Sequence, residues 1–145
     1  MKVRTAVAGV AATALVAGGG VMLATTAAGA QNATTTLKFT SVKLKKVDLS
    51  KTTLVETDSD VSSSGKVLGF DVLHFTVSKT KVTIDGTVDV AGGLIYGTLT
   101  STTSSPKATG KVTGGTGTYK GATGSIKATA TSATKTVITI VFSRK

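Results

Sequence analysis

Lys81-Val82-Thr83-Ile84-Asp85-Gly86-Thr87-Val88-Asp89-Val90 is the stretch that decides the fold. Val82, Ile84, Gly86, Val88 and Val90 fall on one face of an extended chain, and Thr83, Asp85, Thr87 and Asp89 on the other. A period of two, with β-branched residues on the apolar face, belongs to a strand that covers a core on one side. Ala91-Gly92-Gly93 then reads as a hairpin turn, and Leu94-Ile95-Tyr96-Gly97 opens the next extended run.

The same alternation recurs to either side. Leu37, Phe39 and Ser41 oppose Lys38, Thr40 and Val42 near the start. Near the end Thr136, Ile138, Ile140 and Phe142 oppose Val137, Thr139, Val141 and Ser143, apolar enough on both faces for a well-buried strand. Polar or glycine-rich runs separate these segments. Asp58 to Gly65 reads as a polar loop, Ser78 to Lys81 as a tight connection, and Ser101 to Pro106, Gly114 to Gly117 and Thr131 to Ala133 as further turns. No segment after residue 30 shows the i, i+3, i+4, i+7 spacing of an amphipathic helix. Strands are therefore expected near 35–47, 52–57, 66–77, 81–90, 93–101, 106–113, 118–130 and 134–143. Eight antiparallel segments on short loops predict an all-β domain, a barrel or a sandwich, with the eight-stranded antiparallel β-barrel preferred because closure leaves no open edge.

The first thirty residues have a different character. Lys2 and Arg4 precede an uncharged run from Thr5 to Ala30, and Ala28-Gly29-Ala30 supplies the small-x-small pattern of a signal-peptidase site. The run is long enough for a membrane anchor, but Gly18-Gly19-Gly20 at its middle makes a poor helix. Residues 1–30 are expected to be a cleaved signal peptide of bacterial character, and residues 31–145 a single secreted, extracellular domain. That domain carries 15 basic and 7 acidic side chains. It has no cysteine, so disulfides contribute nothing and a packed core must hold it together.

Residues 114–124 carry a motif: Gly114-Gly115-Thr116-Gly117-Thr118-Tyr119-Lys120-Gly121-Ala122-Thr123-Gly124. It resembles the GGTGxYxGAxG signature of the allene oxide cyclase and dirigent proteins. The resemblance extends to Gly93-Leu94-Ile95-Tyr96-Gly97 and Gly65-Lys66-Val67-Leu68-Gly69, and covers about residues 65–143. It implies an eight-stranded antiparallel barrel with an internal cavity, in a family whose plant members are often trimers and either cyclise a fatty-acid epoxide or steer the coupling of phenoxy radicals. One position departs from the pattern. Plant dirigent proteins commonly place Arg before the last motif glycine, where this chain has Thr123, and a hydroxyl does not replace a guanidinium charge. On physical grounds the motif is structural: its glycines permit positive φ and close backbone approach, and the Tyr119 ring can pack over them. It does not match a phosphate-cradling loop, since no helix follows it.

Few other residues suggest chemistry. Asp71 and His74 lie three apart on one strand and so on opposite faces. Asp71 shares its face with Leu73, Phe75 and Val77, and is either a group with a raised pKa in a wet cavity or a rim carboxylate tied to a loop. His74 reads as a partly exposed strand residue. The cavity implied by the resemblance would use Asp71, Asp85 and Tyr96 as catalytic groups, with Phe75, His74 and Tyr119 against the ligand. Asp58-x-Asp60 resembles the start of a calcium loop, but Ser63 and Gly69 stand where glycine and glutamate are required, so a solvated acidic turn is the reading and no metal or cofactor is expected. There is no GxSxG serine motif.

The basic excess is lysine-rich and aromatic-poor, which argues against nucleic acid and leaves solubilisation or attraction to an anionic cell envelope. Two functions follow as expectations. The barrel binds a small hydrophobic or phenolic, oxygen-bearing molecule and directs its cyclisation or coupling, or it is a non-catalytic extracellular binder. A homo-oligomer, dimer or trimer, is compatible with either.

Overall fold

Alternation becomes pairing in the computed structural model, which describes residues 33–144. The expected signal peptide lies outside the described residues. Eight strands follow one another: β1 (Thr35–Asp48), β2 (Thr53–Val61), β3 (Val67–Val77), β4 (Lys81–Val90), β5 (Gly93–Thr102), β6 (Lys107–Gly115), β7 (Ala122–Ser132) and β8 (Lys135–Arg144). Each pairs antiparallel with its sequence neighbour, and β1 pairs with β8 to close the barrel. Closure satisfies the N–H and C=O groups that an open sheet would leave at two edges.

The core follows from the period of two. Leu37 and Phe39 on β1, Ile95 and Leu99 on β5, Ile126 on β7, and Ile138, Ile140 and Phe142 on β8 point inward and are buried. Their outward neighbours, such as Lys38, Thr100 and Lys127, are exposed.

The two ends of the barrel differ. At one end the glycine motif folds inward as a one-turn 3-10 helix, Gly117–Tyr119, between β6 and β7. Gly117 has φ of +55°, and a Cβ there would sit 2.1 Å from the Gly92 carbonyl oxygen, so the close approach admits only glycine. Tyr119 lays its ring edge-on to Phe142 at 5.7 Å between centroids, and its hydroxyl donates to the Ala91 carbonyl at 2.9 Å. Arg144 Nη1 donates to the Thr118 carbonyl at 2.7 Å. These contacts plug this end.

Two expectations are corrected here. The polar loop expected from Asp58 does not begin there, because β2 continues to Val61 and the turn occupies Ser62 to Lys66. The strand expected from residue 118 begins only at Ala122, since Gly117 and Gly121 (φ +74°) take up the 3-10 turn first.

Candidate functional site

The opposite end is open. A cavity of about 390 Å³ runs into the barrel from the mouth formed by the β1–β2, β3–β4, β5–β6 and β7–β8 connections, a volume suited to a small organic molecule. Most of its wall is aliphatic or aromatic: Leu73, Phe75, Ile84, Leu99, Ile126 and Ile138 are representative. One side differs. There β1, β2 and β3 turn polar groups inward: Ser41 and Lys43, then Glu56, Asp58 and Asp60, then Asp71.

The ladder explains how these groups meet. Asp58 lies opposite Lys43 on one side and opposite Asp71 on the other, while Asp60 lies opposite Ser41 and Gly69. The donors reach diagonally, one pair along. Lys43 Nζ bridges to Glu56 Oε1 at 2.7 Å, and Ser41 Oγ donates to Asp58 Oδ2 at 2.8 Å. This shift leaves the innermost carboxyls without a donor. Asp58 Oδ1 and all four carboxyl oxygens of Asp60 and Asp71 are buried with no partner. Asp60 and Asp71 have no exposed surface at all.

Four carboxyls and one ammonium cannot all be ionised in such a place, because an uncompensated buried charge costs several kcal/mol, on the order of that for a lone ion. Protons resolve the conflict. Burial, reinforced by the neighbouring Asp71 and Asp58, pushes Asp60 up to about 9. Burial and the nearby Asp58 raise Asp71 to about 6. At neutral pH burial keeps the Asp60 carboxyl protonated, and its closeness to Asp71 makes the two titrate as a pair. Glu56 and Asp58 face the cavity in front of them. The arrangement can hold a proton in a dry wall directly behind the cavity that Asp58 lines. Among the described residues no set of three His, Asp or Glu side chains is arranged to hold a metal ion.

No protein-family profile and no curated protein sequence matches the chain. Solved structures do. The pterocarpan synthase dirigent protein GePTS1 superposes with a TM-score of 0.65 at 19% identity, over 79% of this chain and 91% of that one. The fold is that of the dirigent-like barrels. A pyocyanin demethylase (TM-score 0.60, 18% identity, 74% of this chain and 98% of that one) shares this barrel. So does AbnU, an exo-specific intermolecular Diels-Alderase (TM-score 0.60, 10% identity, 76% and 98%).

Within this dirigent-like barrel the residues expected at the site separate. Asp71 and Phe75 point inward, Phe75 onto the cavity and Asp71 into the carboxyl cluster behind it. Asp85, His74 and Tyr96 do not join them. They sit together on the outer wall, around a shallow groove with Val55, Val72 and Thr98. His74 is the cross-strand neighbour of Asp85, whose carboxylate accepts a hydrogen bond from Thr98 Oγ1 at 2.7 Å. The expectation that Asp85 and Tyr96 line the cavity is therefore corrected, and the reason is the pleat: Asp85 alternates with inward Ile84 and Gly86, and Tyr96 with inward Ile95 and Gly97. Tyr119 belongs to the plug.

Ser41, Lys43, Glu56, Asp58 and Asp60 were absent from the expected site. The acidic turn expected at Asp58-x-Asp60 is instead the buried end of a strand. A signal was present: Leu54, Glu56, Asp58 and Asp60 alternate with Val55, Thr57, Ser59 and Val61. Taken alone, that pattern points the acids outward and the valines inward, the reverse of what closure imposes.

Proposed function

We propose that the protein is an exported dirigent-like barrel that binds a small, largely apolar, oxygen-bearing molecule in its cavity and directs that molecule's cyclisation or coupling. The observation carrying this reading is the pairing of an apolar, one-ended cavity with a wall of buried, unpartnered carboxyls. An all-aliphatic lining would favour simple carriage. A proton held on Asp60 and Asp71 behind a ligand-facing Asp58 favours chemistry at a ligand oxygen. The apolar walls restrict the ligand to few conformers and exclude water, while Asp58 accepts a proton from, or returns one to, an epoxide, carbonyl or hydroxyl oxygen. The structural neighbours include a dirigent protein and a Diels-Alderase, which supports a barrel of this shape serving as a vessel for ring formation or coupling.

The test is to incubate the purified protein with panels of epoxy fatty acids and of phenols supplied with a one-electron oxidant. Native mass spectrometry then reads binding, and chiral chromatography reads the products. Retention of a panel member together with an altered ring or stereoisomer ratio is expected. Absence of both removes the proposal. Export is tested separately, by finding the chain in the medium with Gln31 as its first residue.

A further inference from the structure

We propose that the open end of the barrel is a docking face for an anionic lipid bilayer, which seats the cavity mouth against the membrane surface. The inference stands on the rim and not on what the cavity does.

β1 is longer than its partner β8. Lys135, the first residue of β8, pairs with Val42, so Leu44 to Leu49 run on with only β2 beside them and form a projecting lip. Register slips between Lys43 and Lys45, and this bulge turns the strand so that Lys46 reaches the mouth. The lip carries the apolar residues a soluble rim should lack. Leu44 and Leu49 are each 59% exposed and Val47 is 43% exposed, and no part of the described chain covers them.

Lysines surround this lip. Lys45 and Lys51 stand on the β1–β2 hairpin, and Lys79 and Lys81 at the β3–β4 connection. Lys107 and Lys135 begin the strands after the other two connections at this end. Asp48, the carboxylate on the lip, is already paired with Lys46 at 2.9 Å. The plugged end is less basic: its β4–β5 turn, Ala91 and Gly92, is uncharged, the other two connections hold single lysines, Lys66 and Lys120, and Arg144 is engaged with the Thr118 carbonyl, while Val67 is the exposed large apolar residue beside these turns.

Apolar side chains on a projecting hairpin inside a ring of ammonium groups match an interface of acyl chains beneath phosphate headgroups. The apolar tips enter the headgroup layer, and the lysines stay at the level of the charge. An anionic polymer without an apolar layer would satisfy the lysines and leave Leu44, Val47 and Leu49 in water, so the bilayer is the occupant that accounts for both features.

The absence of cysteine allows the test to be local. The exported chain, beginning at Gln31, is prepared as Leu49→Cys and, at the plugged end, as Ser63→Cys, each labelled with an environment-sensitive fluorophore. Each is mixed with phosphatidylglycerol-containing or pure phosphatidylcholine vesicles. A blue shift at position 49 on anionic vesicles only, with none at position 63, is expected. Lys51→Gln combined with Lys79→Gln, two rim residues off the cavity wall, should lower affinity for anionic vesicles about 25-fold, at about fivefold per lysine. Equal shifts at both positions, equal shifts on neutral vesicles, or no shift at position 49 would each overturn the proposal. Binding to soluble polyphosphate that leaves the probe at position 49 unchanged on vesicles would assign the face to an anionic polymer instead. Catalysis or ligand binding by the cavity can fail without touching any of these readouts.

Discussion

Asp58 and Asp71 lie directly opposite each other across the β2–β3 ladder, both carboxyls inside the barrel and neither joined to a lysine. Two carboxyls in that relation, with Asp60 beside them, make the interior sensitive to pH. They also make it the part of the molecule where substitutions have opposite effects on stability and on chemistry.

Stability should fall as pH rises. Asp60 and Asp71 have folded pKa values above their ordinary 3.8. The folded chain therefore holds protons that the unfolded chain has released, and the penalty grows from about pH 4 upward. Asp71 contributes up to about pH 6 and Asp60 up to about pH 9. The slope should approach about 1.4 kcal/mol per pH unit for each proton so held. Urea unfolding at pH 5, 7 and 9 measures it. Asp60→Asn should flatten the upper part of the curve and leave the protein more stable than the parent at pH 8. A stability that rises toward pH 9 would contradict the buried pair.

Asp58 lines the cavity from β2. Asp58→Asn should weaken a hydroxyl-bearing ligand about tenfold or more, since hydrogen bonds to a charged group contribute about 1.5–3 kcal/mol. It should also suppress any product the parent forms. Asp85→Asn, His74→Gln and Tyr96→Phe, on the outer wall, should change neither. Titration calorimetry with a ligand identified in the panels compares all four.

Ala128 marks where the cavity has room, since it faces the open space from β7. Ala128→Phe should place a ring there, reduce ligand affinity at least about tenfold and leave the melting temperature within a few degrees, because the added ring fills a void without displacing packed atoms. Loss of folding would show that the space is not available.

Gly117 and Tyr119 each hold the plug in place. Gly117→Ala should cost about 2–3 kcal/mol or more, from the left-handed φ and the collision with the Gly92 carbonyl. Tyr119→Phe should cost about 1 kcal/mol for the lost bond to Ala91, and Tyr119→Ala about 3–5 kcal/mol for the lost packing on Phe142. Denaturant midpoints rank the three.

Much of the fold was legible because strand and turn signals act over a few residues. β4, from Lys81 to Val90, was readable to the residue, and the motif at Gly114 to Gly124 pointed to the barrel that GePTS1 shares. The site was legible only at Asp71 and Phe75, where apolar neighbours on the same strand mark the inner face. Asp58 and Asp60 misled. Their local pattern resembles a polar turn, and nothing within five residues tells which side of β2 is enclosed.

The amino-acid sequence by itself determined that residues 33–144 form strands, about where each begins, and that glycine must stand at the β6–β7 turn. Those are properties of the backbone and its nearest neighbours. Only the tertiary structure decided that β1 closes on β8, that Glu56, Asp58 and Asp60 turn inward to meet Asp71, and that Asp85, His74 and Tyr96 remain outside. A strand's two faces are equivalent until the barrel closes, and closure is set by pairing between segments distant in the chain. The inner face then becomes the one that excludes water, whatever polar groups it carries.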